Sequence, residues 1–565
     1  MRAALALALL SLIAVAALPG HGFTGEPSAV TLVVNGRIEG HPGADALVIV
    51  GSRIVSVGRS AELAPVLPGA RRVDARGGRV LPGLLDPHVH LRDLGLAPHR
   101  VLLYDAATMA GALAAVRAYA RSHPQAPWVL GGGWSYQLAP GSYPSRQALD
   151  AVVPDRPVYL ESYDGHAAWV NSRALALAGV TVATPDPAGG RIVREADGRT
   201  PAGALLEEAS ELVGRAVPAT PRAERLAALR EGLRACADRG VTGLDDILTD
   251  ADEGELLVEL ARAGELPLRV RACPPLTDDL GPALRMRAAL AGTPVGMGFL
   301  KGFVDGVIES RTALMVDPYP GSPEPGASAR GAPLMTPEVL TRRVLAAHRA
   351  GFQVALHATG DGGVRMALDA YAATRARPRR GPPHRIEHCE VVQPRDRARF
   401  RALDVVASMQ PMHAVPTGAE PDLGIWSRNV GAARMPYTFP WRSLLSDGAP
   451  LAFGSDAPVV QPEPLPGLAV ALTRQDAAGH PPGGWNGAQC LTWPEALAAY
   501  TRGAARAMGL ERTVGALDPG LEADLVILGP ETDPSRPATL WKPSIAHVFV
   551  AGRRVAGTAR WLVKP

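Results

Sequence analysis

Short apolar segments, each ended by glycine, proline or a single polar residue, recur along most of this chain. Segments of about four to eight such residues are typical of strands buried on both faces of a parallel sheet. We expect such strands within residues 81–90, 240–247, 268–272, 298–306, 354–361, 385–389, 405–410 and 451–458. Thr336-Pro337-Glu338 opens an apolar-periodic run to His348, which predicts a helix. The pattern favours an α/β fold whose functional groups gather at the carboxyl ends of the strands.

Both ends of the chain have a different pattern of apolar and glycine residues. Residues 30–38, 46–50, 54–57 and 72–73 form short apolar runs punctuated by glycine, and residues 523–528 and 545–553 repeat this pattern near the carboxyl terminus. Such runs predict strands at both ends. Together the two ends could form one β-sandwich.

The first residues predict a targeting segment over residues 1–22. Met1-Arg2 precedes an apolar run that is broken only by Ser11, and Pro19-Gly20 follows. The run is short for the roughly 20 residues that a membrane span needs, so it predicts a secretory signal peptide. We therefore expect an exported protein, periplasmic or secreted, with no stable membrane insertion after cleavage. An uncleaved anchor is the alternative.

Overall charge argues against a nucleic-acid partner. The 58 basic and 55 acidic residues give a net charge of +3, and no basic run is interleaved with aromatic residues. A small-molecule substrate is the expected partner. The four cysteines are scattered, and they neither require nor forbid a disulfide.

One lysine occupies an unusual position. Only three of the 58 basic residues are lysines, and Lys301 is the one inside an apolar, glycine-bounded run, residues 298–306. An ammonium in a buried strand is costly unless something neutralises it or pairs with it. Lys301 therefore indicates chemistry that arginine cannot perform. A strand-end lysine that reaches solvent is the alternative.

Four histidines and an aspartate end other apolar runs: His88, His90, His357, His388 and Asp456. Side chains alternate along a strand, so both imidazoles of the His-Val-His sequence project from one face. Imidazoles and a carboxylate form a zinc-type ligand set, and five ligands exceed the usual need of one tetrahedral metal. Two adjacent metals would use them all, and a carbamate made from Lys301 and carbon dioxide would supply the missing bridge. Read singly, the histidines could be core residues and Asp456 could form a turn.

With these residues in this order, the chain resembles the amidohydrolase superfamily. The order His-x-His, Lys, His, His, Asp is similar to its binuclear members, whose ligands come from strands 1, 4, 5, 6 and 8 of a distorted TIM (β/α)8 barrel. The wider sequence is similar to the amidohydrolase-3 branch, the YtcJ-like metal-dependent hydrolases. The matching segments span nearly the whole chain: residues 81–90, Asp164-Gly165-His166 with Trp169 and Asn171, and residues 301–313, 357–362, 385–388 and 454–458.

The resemblance implies roles for these residues. The first of two divalent metals would be bound by His88, His90 and Asp456, and the second by His357 and His388. Carbamylated Lys301 and a hydroxide would bridge the two metals. Asp456 would be the catalytic residue, taking the proton of the attacking hydroxide and delivering it to the leaving nitrogen. Zinc is the expected metal, although manganese, iron and cobalt suit the same ligands.

The resemblance also implies a domain organisation. Residues 85–507 would form the barrel, with an inserted subdomain at roughly 120–235, and residues 27–84 and 508–562 would form a small composite β-sandwich domain from both termini. Loops at the catalytic face of a barrel set specificity, so Trp134, His166 and Arg311 are candidates for substrate binding. Trp134 could equally belong to the core of the insertion. Arg311 and Arg385 could orient an acidic substrate or only support the site.

The expected function is hydrolysis of a C–N bond in a linear or cyclic amide, other than a peptide bond. A mononuclear metal-dependent deaminase is the enzymatic alternative, and such an enzyme would need no bridging lysine. An exported, non-catalytic binding protein on the same fold is an alternative of another class. The substrate is not identified by these residues, and a homodimer stays an open possibility.

Overall fold

The computed structural model describes residues 30–139, 143–322, 329–377, 381–415 and 424–557. Its centre is a ring of parallel strands, most of them followed by a helix. The strands are β1 (Leu84–Val89), β2 (Val241–Ile247), β3 (Arg269–Cys273), β4 (Phe299–Phe303), β5 (Gln353–Ala358), β6 (Arg385–His388), β7 (Val406–Met409) and β8 (Leu451–Phe453). The helices are α1 (Arg222–Asp238), α2 (Glu253–Arg262), α3 (Gly281–Leu290), α4 (Pro337–Arg349), α5 (Asp361–Ala372), α6 (Pro394–Leu403), α7 (Trp441–Ser446) and α8 (Pro464–Thr473).

The ring is closed by parallel strand pairing, which is reduced to a single bridge at two places. Strands β1 to β3 pair in order, and so do β4 to β8. A short strand, Gly296–Met297, pairs with β3. Single parallel bridges, Pro275 with Lys301 and Val89 with Ala457, join the two halves. The predicted α/β, TIM-barrel-like class is therefore confirmed.

The strand register separates the apolar outer face of the ring from its polar interior. In the β5–β6 pair, Leu356 lies beside Ile386 in the hydrophobic core, whereas His357 lies beside Glu387. Because side chains alternate along a strand, the intervening residues of β6 point toward the barrel axis. Polar groups for chemistry are thus carried on strands whose other face is fixed by apolar packing.

Helix α4 forms as its sequence predicts. The Thr336 side chain accepts a hydrogen bond from the Val339 amide, and proline occupies the first turn. The buried residues Leu340, Val344 and Ala347 are spaced four and three apart, which places them on one face of the helix. A further helix runs from Trp493 to Met508 with a π-helical turn at Ala499–Gly503.

A six-stranded sheet lies between β1 and α1 in the sequence. Its strands, in spatial order, are Gly190–Arg194, Pro201–Glu207, Ala167–Val170, Val158–Ser162, Val129–Trp134 and Val101–Leu102. Helices Met109–Ser122, Arg146–Asp150, Ser172–Leu177 and Glu211–Gly214 accompany it. These strands span residues 101–207, so they begin and end earlier than the predicted 120–235. Helix α1 packs against the short helix Leu91–Leu96 and belongs with the barrel.

Residues near both termini form two further sheets. One contains Val30–Val34, Ala46–Val50, Arg53–Gly58 and Arg71–Asp74, and the other contains Arg37–Ile38, Arg79–Pro82, Leu525–Leu528, Ile545–Val550 and Arg553–Ala556. Side chains from both sheets share one hydrophobic cluster. The predicted signal peptide, residues 1–22, lies outside the described residues. Within the described part of the chain, no helix combines the length and apolar character that crossing a membrane requires.

Candidate metal centre

The six predicted metal-site residues meet at one cavity at the carboxyl ends of the barrel strands. His88 lies near the end of β1, and His90 follows that strand directly; the others are Lys301 on β4, His357 on β5, His388 at the end of β6 and Asp456 just after β8. All six line a cavity of about 900 Å³. The structure therefore brings together side chains that are far apart in the sequence.

Asp456 lies at the centre of the donor atoms. Its Oδ1 is 3.2 Å from His88 Nε2 and 3.4 Å from His90 Nε2, and its Oδ2 is 3.9 Å from His388 Nδ1. One ligand atom from each of His88, His388 and Asp456 lies within 4.8 Å of the other two. His357 is adjacent, because its ring centroid is 4.4 Å from that of His388. The donor set is suited to divalent ions of the zinc type.

Hydrogen bonds on the outer nitrogens test whether these histidines fit a metal. His88 Nδ1 is 2.6 Å from Glu387 Oε2, and His357 Nε2 is 3.1 Å from the Gly306 carbonyl oxygen. An acceptor at one ring nitrogen holds the proton there and leaves the lone pair of the other nitrogen free for a metal. Both rings are therefore held in the way that metal-ligating histidines are held.

The charges of the site agree with this fit. Burial lowers the pKa of His357 and of His388 well below the usual value, so both imidazoles are neutral at pH 7. Burial would raise the pKa of Asp456, but His88 beside it holds that pKa well below its usual range. Metal binding requires neutral imidazoles and an ionised carboxylate. The charges of His357, His388 and Asp456 therefore fit divalent metal ions, whereas the raised pKa of His88 means that a metal must displace its proton.

Lys301 is buried beside these residues. It is 3% exposed, which excludes the alternative of a lysine that reaches bulk solvent. Burial lowers its pKa to about 8, although Glu387 and Asp456 oppose the shift. Its Nζ lies 3.0 Å from His88 Nε2 and 4.9 Å from the centroid of the Phe303 ring. A lowered pKa makes the neutral, reactive amine available close to neutral pH.

A network of buried charges lies beneath the site. Glu387 Oε1 accepts a hydrogen bond of 2.6 Å from Arg385 Nε, and Arg385 Nη1 donates to Asp245 Oδ2 at 3.0 Å. Arg271 Nε donates to Asp245 Oδ1 at 2.6 Å. Burial would raise the pKa of Glu387, but Arg385 and then His88 bring it down to about 2. Arg385 therefore supports the site from inside the barrel and does not line the cavity.

The three predicted substrate-binding residues have different positions. His166 lines the cavity, and its ring centroid is 4.9 Å from that of His357. Trp134 does not line the cavity; it is fully buried in a hydrophobic cluster, and its Nε1 donates to the Leu160 carbonyl oxygen at 2.9 Å. The position of Trp134 therefore supports the alternative that it belongs to the core of the additional sheet, and not the predicted contact with substrate.

Arg311 also lies outside the cavity lining. Its Nε donates to Asn429 Oδ1 at 2.8 Å, and its guanidinium lies 5.8 Å from the Tyr319 ring centroid. The residue is exposed, and its side chain is held by Asn429 on the short helix Ile425–Val430. The structure therefore gives it a supporting position.

Three further residues at this site are absent from the sequence interpretation: Glu387, Glu207 and His413. Glu207 Oε2 is 2.7 Å from His166 Nδ1, and His413 Nε2 is 3.9 Å from Asp456 Oδ2. Glu207 follows the apolar run Ala204-Leu205-Leu206, so the rule that selected the histidines would also select it. Glu387 shares its strand face with Arg385, but nothing local in the sequence indicates which histidine it meets.

Comparison with known proteins identifies the family. The model of the amidohydrolase family, Amidohydro_3, matches residues 71–556. The chain belongs to the amidohydrolase family. The predicted resemblance is therefore confirmed.

Similar proteins cover most of the chain. It is 34% identical over 522 residues to Protein LONG AFTER FAR-RED 3 of Arabidopsis thaliana, covering 88% of this chain and 86% of that protein. It is 30% identical over 494 residues to YtcJ of Bacillus subtilis (strain 168), covering 86% and 91%. It is 28% identical over 529 residues to the N-substituted formamide deformylase of Arthrobacter pascens, covering 90% and 94%.

A solved structure supports the same family. An uncharacterized metal-dependent hydrolase from Pyrococcus horikoshii OT3 matches with a TM-score of 0.69 at 25% identity, covering 90% of this chain and 98% of that one. This amidohydrolase is thus similar to metal-dependent hydrolases across nearly its whole length.

Proposed function

We propose that this amidohydrolase cleaves a C–N bond of a linear or cyclic amide, other than a peptide bond, with two divalent metal ions, expected to be zinc. The observation that carries the proposal is the convergence of four histidines, Asp456 and a buried lysine on the lining of one cavity. The relative from Arthrobacter pascens is named for N-substituted formamides. Such formamides are therefore the first amides to test.

The chain's own residues would divide the work as follows. One ion would be held by His88, His90 and Asp456, and the other by His357 and His388, with Lys301 as a carbamate between them. When bound, such ions lower the pKa of a coordinated water toward about 7 and polarise a carbonyl group. Asp456 Oδ2 lies 3.9 Å from His388 Nδ1 and 3.9 Å from His413 Nε2. It would accept the proton of the attacking water and pass it to the leaving nitrogen.

Metal analysis combined with an amide panel tests the proposal. We expect two ions per chain and turnover of at least one amide among N-substituted formamides and cyclic amides, whereas dipeptides should not be cleaved. A chelator should abolish turnover, and added zinc should restore it. A protein that holds two ions and cleaves neither class of amide, or cleaves only dipeptides, would contradict the proposal.

Two other functions give different results in the same experiment. A mononuclear deaminase would hold one ion and release ammonia from an amino-substituted ring, and it would retain activity when Lys301 is replaced. A non-catalytic binding protein would bind amides without turnover. The burial of Lys301 against His88 favours the two-metal hydrolase, because a one-metal site needs no lysine there.

We also propose export and a three-part organisation. Residues 1–22 would be removed as a signal peptide, residues 27–84 and 508–562 would form the composite β-sandwich, and residues 85–507 the barrel with its insertion. The hydrophobic cluster shared by the two terminal sheets supports the sandwich. Amino-terminal sequencing of the mature protein tests the cleavage, and light scattering tests whether it forms a homodimer.

A further inference from the structure

Glu207 and His166 form a largely buried pair beside the metal-site residues. His166 Nδ1 is 2.7 Å from Glu207 Oε2, and the two side chains are 13% and 7% exposed. No described residue hydrogen-bonds the other ring nitrogen, Nε2, and the ring lines the cavity. The carboxylate therefore holds one edge of the imidazole and leaves the opposite edge toward the cavity.

The backbone is built to bring this pair together. Glu207 N donates to the His166 carbonyl oxygen at 2.9 Å, so the two residues face each other at the end of an antiparallel strand pair. Glu207 has a φ of 50°, in the left-handed region that a residue with a side chain rarely adopts. Such a conformation persists only where the surroundings impose it, and it is common at functional sites.

The second carboxylate oxygen of Glu207 is also held. Thr312 Oγ1 donates to Glu207 Oε1 at 2.5 Å. A side chain at Gly306 would come within 2.1 Å of the same oxygen, so the glycine makes room for the carboxylate. The Gly306 carbonyl oxygen in turn lies 3.1 Å from His357 Nε2. Glu207 is thus fixed against the segment that supports one of the proposed metal ligands.

The position of the ring indicates which part of a substrate it meets. Its centroid is 4.9 Å from that of His357 and 6.5 Å from that of Phe303. A substrate group that contacts His166 is therefore also beside the metal-site histidines. A residue placed to read the distal part of a substrate would lie farther along the cavity.

We propose that His166 contacts the reacting amide group through Nε2, and that Glu207 is a positioning residue that fixes the imidazole for this contact. The inference rests on the proposed function, because it names the reacting group as an amide. It assigns Glu207 to the same step as His166. A purely structural pair, connecting the additional sheet to the barrel, is the competing explanation.

A double-mutant cycle separates the two explanations. The variants are His166→Ala, Glu207→Ala and the double variant, each prepared as the metal-loaded holoenzyme with its metal content measured. We expect His166→Ala to lower kcat/KM about a hundredfold, as loss of one contact to the reacting group does. Glu207→Ala should lower it about tenfold, a typical effect of losing the partner that orients a functional histidine. The double variant should be no worse than His166→Ala, because Glu207 acts only through the ring.

Two additional measurements keep the test decisive. Glu207→Asp retains the charge but moves the carboxylate away from His166 Nδ1, so it should lower kcat/KM of the otherwise wild-type enzyme about tenfold. The same substitution should leave kcat/KM of the His166→Ala variant unchanged. Two amides with the same reacting group and different distal groups should show equal losses in every variant. The matched control is Glu231→Ala, which removes the carboxylate of an exposed pair in which Glu231 Oε2 is 2.8 Å from His99 Nε2. It should leave kcat/KM unchanged.

Each outcome has a clear meaning. If the losses multiply to about a thousandfold in the double variant, Glu207 does not act through His166 and the inference is overturned. It is also overturned if the losses depend on the distal group. In both cases amide hydrolysis by the wild-type enzyme leaves the proposed function intact. If the wild-type holoenzyme cleaves no amide, the proposed function fails and the inference fails with it.

Discussion

Replacement of Lys301 by methionine should stabilise the metal-free protein while it abolishes turnover. The lysine is 3% exposed, and burial lowers its pKa from the usual 10.5 to about 8. That fall corresponds to about 3 kcal/mol against the charged form. Methionine has a similar length and carries no charge, but it loses the 3.0 Å contact to His88 Nε2, which is worth about 1 kcal/mol. We expect a net gain of about 2 kcal/mol at pH 7.

The sign of the pH dependence follows from the lowered pKa. Between pH 8 and 10.5 the unfolded chain binds a proton that the folded protein has released, so the stability of the native lysine form rises with pH in that window. The advantage of the methionine variant is therefore complete below about pH 8, and toward pH 10.5 it gives way to a deficit of up to about 1 kcal/mol from the lost contact to His88. Urea unfolding of both proteins, measured metal-free and without carbon dioxide at pH 7, 9 and 10.5, checks this. Lys542→Met, at an exposed lysine, is the matched control and should stay within about 0.5 kcal/mol of the native protein.

Two results would refute this reasoning. If Lys301→Met is less stable than the native protein at pH 7, the buried ammonium does not lower the free energy of unfolding. If the difference between the two proteins does not change between pH 7 and 10.5, it does not come from the charge of the lysine. Retention of full turnover in the variant would refute the proposed bridging role separately.

Three further predictions concern other residues. Glu387→Gln should weaken metal binding about 10- to 100-fold, because Glu387 orients His88, and a metal titration that shows unchanged affinity would contradict this. Metal affinity should fall as the pH drops from 8 to 6. Burial and Lys301 lower the pKa of His88, but Asp456 and Glu387 outweigh them and raise it, so a metal must displace a proton from this ring. A metal affinity that is constant over this pH range would disprove the prediction. Trp134→Phe should lower the free energy of unfolding by about 1 kcal/mol, because the hydrogen bond to the Leu160 carbonyl oxygen is lost, and it should leave KM unchanged. A several-fold rise in KM would instead support the predicted substrate contact of Trp134.

The residues that were predicted best from the sequence are those whose position follows from a short segment around them. A polar side chain that ends an apolar run must lie at the end of a buried strand, and the carboxyl ends of parallel strands meet at one face. This reasoning predicted the positions of His357 and Asp456 without any knowledge of their spatial partners. It also predicted β2, β3 and β7 within one or two residues of their bounds.

The residues that sequence missed depend on contacts between distant segments. Glu387 meets His88 across 299 positions of the chain, and Arg385 meets Asp245 across 140. No periodicity records such a pair, because it arises only when the ring closes. Trp134 illustrates the opposite difficulty: a large aromatic residue at the end of a short strand has the same local sequence whether it binds a ligand or fills a core. Only the packing of the six-stranded sheet distinguishes the two.

The buried charges beneath the metal centre are explained by orientation better than by stability. Replacing a buried ion pair with apolar residues of similar volume is often neutral or stabilising, so the Asp245, Arg385 and Glu387 network is weak evidence for a stable core. Its last carboxylate, however, holds His88 at 2.6 Å and so decides which ring nitrogen faces the cavity. Lys301, whose ammonium form is disfavoured by burial, lies on the other side of the same ring. An ion-pair network that is weak evidence for stability and a lysine whose charge is disfavoured therefore meet on one imidazole, which indicates that both are kept for the orientation and chemistry of that ring.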